Sequence, residues 1–487
     1  MPIGTFDLEA RAHRAMIDAG FRPDFPPDVV NEIQAFKNGQ RGASEASVRD
    51  LRNLAWSSID NDTSRDLDQV EYAEKLPDDT IRLLVGIADV DTLVAKGSAT
   101  DRQAGVESTS VYTGVKTFPM LPTELSTDLT SLSQGQGRPA IVIELRITGS
   151  GEVNYHDIYP AWILNCAKLA YSSTGAWLEG RGPMPAGVAN TPGMEAQLQL
   201  QREASERLRN IRKQRGMLTF ASVEATPVVE QGEVKDLTVR KHNVAEDIIE
   251  SFMVAANVAM ARFLKEKGSV SIRRIVKTPK RWDRIQSIAA QFGVKLPDTP
   301  EQRALCDFLE QRKAADPVHF PDLSLSIVKL LGPGEYVAEA PSAPHEGHFG
   351  LAVDDYTHST APNRRYADLV TQRLLKAVIA KLSTPYSEAE LSQIAAHCTE
   401  RADAARKVER LMRKIIAANL IGKRIGEIFE AIVTGALPKG TYVRLLKFPA
   451  EGRVIRNAQG IDVGDKVRVR LVSVEVDKGF IDFEKVD

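Results

Sequence analysis

Asp60, Asp62, Asp66 and Asp68 fall within nine residues of one another, in the stretch WSSIDNDTSRDLDQVEYAE of residues 56–74. Carboxylates this close repel one another unless a cation, or a substrate that brings one, neutralises them. Hard divalent ions such as Mg²⁺ take oxygen ligands from a few carboxylates and keep water or phosphate in the remaining positions. The stretch is therefore a candidate metal-dependent phosphoryl-transfer site. Two other readings compete. Asp, Asn, Ser and Thr are also common in solvated turns, where they hydrogen-bond locally. Asp60, Asp62, Ser64, Asp66, Asp68 and Glu71 also fall at EF-hand spacings. That reading fails on Arg65, which stands where the sharp turn needs glycine, and on the strand-like segment that follows.

Three further stretches carry candidate chemistry. Asn363, Arg364 and Arg365 follow a polar loop ending at Pro362 and open a helix. A helix N-terminus favours anions, and the arginine fork suits phosphate. An ordinary pair of surface arginines has the same pattern. Tyr112, in a long loop, could stack on a nucleobase or simply pack. Glu409 lies among Arg401, Arg406, Lys407, Arg410, Arg413 and Lys414, where a helical salt bridge is the plain alternative.

The elements that must position these groups can be read from periodicity. Residues 5–37 carry apolar positions at helical intervals, broken by RPDFPPD, and predict a small helical accessory unit of helix-turn-helix type or helices docked on the main body. IRLLVGIADV (81–90) and AIVIELRIT (140–148) predict buried strands. Between them lies a long loop-rich segment containing PMLP. Residues 194–216 predict an amphipathic helix. EDIIESFMVAANVAMARFLKE (246–266) is apolar nearly all round, which predicts a buried helix in which Glu250 would need a partner. Short helices follow over 280–330, then a basic helix to about residue 424. Alternating strands with glycine turns from residue 427 onward predict a small five-stranded barrel.

Length and charge set the frame. A chain of 487 residues predicts two to four domains. A formal net charge of −2 gives no global basic signature, so any polyanion site is a local patch. Cys166, Cys306 and Cys398 are far apart and form neither a metal motif nor a disulfide framework. No cationic-then-apolar leader opens the chain and no run is long enough to span a bilayer, which predicts a cytoplasmic protein with no membrane partner.

Taken together, SIDNDTSRDLD, VGIADVDTLVAKGSATDRQA, TSVYTGVKTFPMLPTELSTDLTSL, IIESFMVAANVA and GHFGLAVDDYTHSTAPNRRYADLV, with the C-terminal barrel, resemble the ribonuclease II / ribonuclease R (RNB) family of exoribonucleases. The resemblance runs from about Ser57 to the C-terminus. It implies an α+β multidomain protein: a helical accessory domain at 1–52, an RNB catalytic domain at 53–425 and an S1 domain of OB type at 426–487. It implies 3′→5′ hydrolysis of single-stranded RNA to nucleoside 5′-monophosphates by a monomer using Mg²⁺, with Mn²⁺ able to take its place. By position, Asp60, Asp66 and Asp68 match the metal-binding and catalytic aspartates. Arg364 matches the arginine on the scissile phosphate, with Arg365 beside it on the RNA. Tyr112 matches the aromatic that stacks near the 3′ end, Phe220 in MLTF the second stacking aromatic, and Glu409 the acid facing the terminal nucleotides. There are departures. Gln69 stands where the family usually has a fourth aspartate, APNRR replaces SPIRR, and the cold-shock barrels that usually precede the catalytic domain are missing. Gln69 favours the alternative of a catalytically weak RNB-like protein that binds RNA.

Overall fold

The computed structural model describes residues 6–37, 48–221, 225–230, 233–239, 242–343, 346–437, 440–461 and 463–486. At its centre is a six-stranded sheet made of β1 (Arg49–Asp50), β2 (Trp56–Asp60), β3 (Gln69–Lys75), β4 (Ile81–Ala88), and, after a small separate hairpin of β5 (Val111–Tyr112) and β6 (Thr117–Phe118), β7 (Gly137–Ile147) and β8 (Val153–Ala170). The strand order is β1-β8-β2-β3-β4-β7, with β8 pairing again with β7. The length of β8 explains this double use. Residues 153–164 run antiparallel to β7, and residues 165–170 run parallel to β2. The apolar runs expected at 81–90 and 140–148 are β4 and β7, buried on both faces as continuous apolar strands should be.

Helices cover this sheet. α1 (Leu8–Asp18) and α2 (Pro27–Lys37) precede it, and α3 (Ala99–Glu107), α4 (Tyr171–Leu178), the single turn α5 (Ala186–Ala189), α6 (Met194–Gln214) and α7 (Val244–Glu266) follow. α7 is closed at its start by a capping box of Asn243 and Glu246. Phe252 on α7 and Trp56 on β2 are fully buried in one core, so truncating Phe252 to alanine should cost about 3–5 kcal/mol. The face expected to bury Glu250 does not. Glu250 is exposed at the solvent side of the first turns of α7, so it needs no buried partner.

A satellite of α8 (Trp282–Gln291), α9 (Gln302–Ala315) and α10 (Phe320–Leu331) has its own apolar cluster. The hairpin β9 (Ala225–Glu230) and β10 (Glu233–Val239) is antiparallel and precedes α7 in the chain. β11 (Ser271–Ile275) pairs with β12 (Glu335–Glu339). α11 (Tyr366–Ile379) leads to α12 (Glu388–Ile421), whose 34 residues make a rod of about 50 Å.

Two findings concern α12. Its basic run is not simply solvated: Arg401 is buried, its guanidinium 3.7 Å above the ring of Phe21. The buried face of α1 (Leu8, Ala12, Ala15, Met16) packs with Val408 and Met412 of α12, so this helix is docked on the main body. The chain ends in a closed barrel of β13 (Ile428–Leu437), β14 (Gly440–Leu445), β15 (Glu451–Arg456), β16 (Lys466–Glu475) and β17 (Phe480–Lys485). Gly452 has no room for a side chain, since a Cβ there would lie 2.4 Å from the Ile481 carbonyl. Ala418 and Ile421 of α12 enter the barrel's core.

Candidate functional site

The acidic stretch is the link between β2 and β3. Asp60 ends β2, and its Oδ1 accepts from the Asn61 N–H at 2.6 Å and the Ser64 hydroxyl at 2.8 Å. Asp68 immediately precedes β3 and is fully buried. Its backbone carbonyl accepts from Ala88 N–H at 2.9 Å, while Leu67 O accepts from Leu132 N–H at 3.0 Å. The loop is thus tied on both sides before any ligand arrives. Asp62 is not part of the cluster. It is exposed, and its Oδ2 accepts from Ser172 at 3.0 Å.

Asn363 and Arg364 come from far along the chain to meet Asp68. Asn363 N–H donates to Asp68 Oδ1 at 3.2 Å, and Arg364 Nε lies 3.1 Å from Asp68 Oδ2. That ion pair is not aligned as a hydrogen bond, and Asp68 Oδ2 is left buried with no hydrogen-bond partner. Burial pushes the Asp68 carboxyl up to about 7; Arg364 opposes this and Asp66 adds to it. Burial also raises Asp66, again opposed by Arg364. Burial favours loss of the Arg364 charge, but Asp68, Tyr112, Asp60 and Asp66 more than reverse it, so the guanidinium is held firmly charged.

An all-oxygen set with an orphaned buried carboxylate oxygen fits a hard divalent cation. Asp60, Asp66 and Asp68 are the residues that could hold it. Among the described residues the trio with ligand atoms within 4.8 Å of one another is a different one, His242, Asp247 and Glu250. There Asp247 is already engaged by His242 at 2.6 Å and by Arg209, whose charge opposes a cation.

Beside the acids is a cavity of about 260 Å³ lined by Asp60, Gln69, Tyr171, Asn257, His358 and Arg364, among others. Tyr171, Asn257, Tyr356, His358 and Thr360 were not singled out from sequence. Yet Asn257 lies within IIESFMVAANVA and the last three lie within GHFGLAVDDYTHSTAPNRRYADLV. His358 is half-buried, with Nδ1 2.7 Å from the Tyr336 hydroxyl, and desolvation holds it well below the usual range, so its ring is neutral.

The remaining expected site residues divide. Tyr112 is 44% exposed, and the Arg364 charge opposes the rise that burial gives its hydroxyl. Glu409 joins it: Tyr112 N–H donates to Glu409 Oε1 at 3.1 Å. Arg365 precedes α11 and lines the cavity, but its fork is committed to Asp368, with Nε at 2.8 Å and Nη2 at 2.6 Å. Phe220 packs half-buried against the α8–α10 cluster and is not among the residues lining the cavity.

Acids facing an arginine, in a chain that also carries a small closed barrel, form an arrangement suited to cutting phosphodiesters. Comparison with known proteins narrows that class. Residues 48–381 match the RNB domain, and residues 427–486 match the RNase II-type exonuclease C-terminal S1 domain. The chain belongs to the RNB family. It is 29% identical to ribonuclease R of Thermotoga maritima, over 95% of this chain and 68% of the relative. It is 27% identical to ribonuclease R 2 of Lactococcus lactis, over 95% and 73%. Among solved structures, the apo form of Mycoplasma genitalium RNase R superposes with a TM-score of 0.86 at 23% identity, covering 99% of this chain and 78% of that one. A structure of the same protein in complex with ribose-methylated single-stranded RNA also gives 0.86. Among the described residues no helix is long and apolar enough to cross a membrane.

Proposed function

We propose that this protein is a 3′→5′ exoribonuclease that hydrolyses single-stranded RNA to nucleoside 5′-monophosphates with Mg²⁺, or Mn²⁺ in its place, as a monomer in the cytoplasm. The observation that carries the reading is Arg364 Nε at 3.1 Å from Asp68 Oδ2, an oxygen with no hydrogen-bond partner. A bound divalent ion would supply a water activated at neutral pH and neutralise phosphate charge. Asp60, Asp66 and Asp68 would hold it. Arg364, its side chain 41% exposed, would draw the scissile phosphate into place and offset the charge that builds on it. Tyr112 would stack on a base near the 3′ end, and Glu409 would hold that residue's backbone and face the terminal nucleotides. Arg365 would act from the cavity wall, its orientation held by Asp368. Phe220 is the proposed second stacking aromatic. The Mycoplasma genitalium structure with single-stranded RNA supports the choice of substrate.

A second reading rests on Gln69, which lines the cavity with an amide: an RNA-binding protein with weak catalysis. Labelled single-stranded RNA separates the two. Processive shortening from the 3′ end with Mg²⁺, abolished by EDTA while binding persists, is the expected result. Binding without cleavage at any Mg²⁺ or Mn²⁺ concentration would establish the second reading.

A further inference from the structure

One ring on the cavity wall is held in a set orientation with a nitrogen left over. His358 lies in the loop between β12 and α11 and lines the cavity together with Arg364 and Arg365. Tyr336 of β12 and Tyr356 stand edge-on to its ring, with centroids at 5.5 and 5.7 Å. The Tyr336 hydroxyl is 2.7 Å from Nδ1. A phenol donates more readily than it accepts, and an unprotonated ring nitrogen is the better acceptor. Tyr336 therefore donates to Nδ1, and the proton of the neutral ring sits on Nε2. Desolvation keeps the ring neutral, helped by the charges of Arg365 and Arg274. Nε2 has no partner among the described residues, yet it is not one of their atoms sealed from solvent: it opens on the cavity. The Asn257 amide on the same wall is already taken. Its Oδ1 accepts from the Ser359 N–H and hydroxyl, both at 2.9 Å, and its Nδ2 is 3.4 Å from Thr360 Oγ1. Charge for a phosphate is supplied by Arg364. A neutral N–H beside it suits a neutral acceptor, and the sugar next to that phosphate offers one in its 2′-hydroxyl.

We propose that His358 is a specificity-determining residue for RNA: its Nε2–H donates to the 2′-hydroxyl of the 3′-terminal nucleotide, the one whose 5′-phosphate meets Arg364. Deoxyribose lacks that acceptor and leaves the N–H unpaired. This rests on the exoribonuclease reading, and the experiment separates the two claims. Two short labelled RNAs, identical except for ribose or deoxyribose at the 3′-terminal nucleotide, are bound to the full chain in EDTA and then cleaved in a single turnover with Mg²⁺. The proteins compared are wild type, His358→Ala and Tyr336→Phe. Wild type should bind the ribose-ended RNA roughly two- to tenfold more tightly, the scale of one net hydrogen bond. His358→Ala should abolish the preference by weakening the ribose-ended RNA alone. Tyr336→Phe keeps the ring packing and His358 itself but no longer fixes the proton on Nε2, so the preference should shrink. That variant decides the matter if His358→Ala does not fold. Equal weakening of both RNAs by His358→Ala would mean a contact to phosphate or base and overturns the proposal. So does a wild type without the preference, or a preference that survives both substitutions. The expected binding pattern without cleavage at any Mg²⁺ concentration overturns the exoribonuclease reading and leaves the role of His358 standing.

Discussion

Replacing Asp68 by Asn changes charge at nearly constant volume, and the structure predicts opposite effects on activity and on metal-free stability. Asp68 is fully buried, so solvent does not screen it. Burial raises its carboxyl from 3.8 to about 7. The folded state therefore binds this proton more tightly than the unfolded chain. Wild-type stability contributed by this group is fully present below about pH 4, falls as pH rises towards 7, and levels off above. A difference of about three pKa units corresponds to roughly 4 kcal/mol at most. Without metal, Asp68→Asn should thus be more stable than wild type above pH 7, by up to that amount less what Arg364 loses with its partner. The two proteins should converge near pH 4. In Mg²⁺ the order reverses in function. Hydrolysis of labelled single-stranded RNA should fall on the order of 10²–10³-fold or more, the scale for removing one group that stabilises developing charge. RNA affinity should hold. Melting in EDTA from pH 4 to 8 and a cleavage assay in Mg²⁺ are the two measurements. Wild-type cleavage by the variant would remove Asp68 from the site, and a stability difference independent of pH would refute the account of its burial.

Other substitutions test the RNA path. Tyr112→Ala should raise KM more than it lowers kcat, with a loss of about 1–3 kcal/mol in binding a short RNA, the scale of one base–aromatic stack; an unchanged KM would mean that the ring does not meet the base. Glu409→Gln keeps an acceptor for Tyr112 N–H and should retain most activity, whereas Glu409→Ala frees that N–H and should raise KM; equal loss in both would show that the charge matters, not the hydrogen bond. On the barrel, the paired substitution Lys466→Ala/Arg468→Ala should lower the salt slope of binding to long RNA by about 0.7 per phosphate contact removed. Point changes are preferable to deleting the barrel, because Ala418 and Ile421 of α12 are part of its core; an unchanged slope would move the RNA path off this face.

Much of the site was legible because its signals are local. The aspartate spacing, the run NRR after Pro362 and the apolar strand that became β4 each lie within one short segment. What could not be read was which segments meet. Asn363 and Asp68 are 295 positions apart, and Tyr112 and Glu409 are 297 apart. No periodicity encodes such pairs. The Asp368 that holds the Arg365 fork lies only three residues on, a partner the sequence did display. Glu250 shows the limit of the apolar-helix rule, since near-uniform apolarity over 23 residues does not preclude one wet face at the first turns of α7. Arg401 shows the converse: a basic run reads as solvated until an aromatic ring from α1's end of the chain covers one of its members.

On the proposed roles, the same contacts would tie substrate capture to cleavage. Thr130 donates to Asn363 Oδ1 at 2.6 Å, and Asn363 in turn donates its N–H to Asp68. Ser110 N–H donates to Arg364 O, and Tyr366 N–H to Ser108 O, both at 2.9 Å, so the hairpin carrying Tyr112 and the strand-like turn carrying Arg364 are stitched together. Glu409 fixes the Tyr112 backbone from α12, and twelve residues further along that helix, about 18 Å, Ile421 lies in the barrel core. An RNA end stacked on Tyr112, as proposed, would be held at a set distance both from the acids and from the barrel. A helix holds such a distance where a loop would not. Misplacement of a reacting group by an ångström can cost orders of magnitude in rate, which gives a physical reason for connecting barrel and site through a long rigid α12 whose flank is buried against α1.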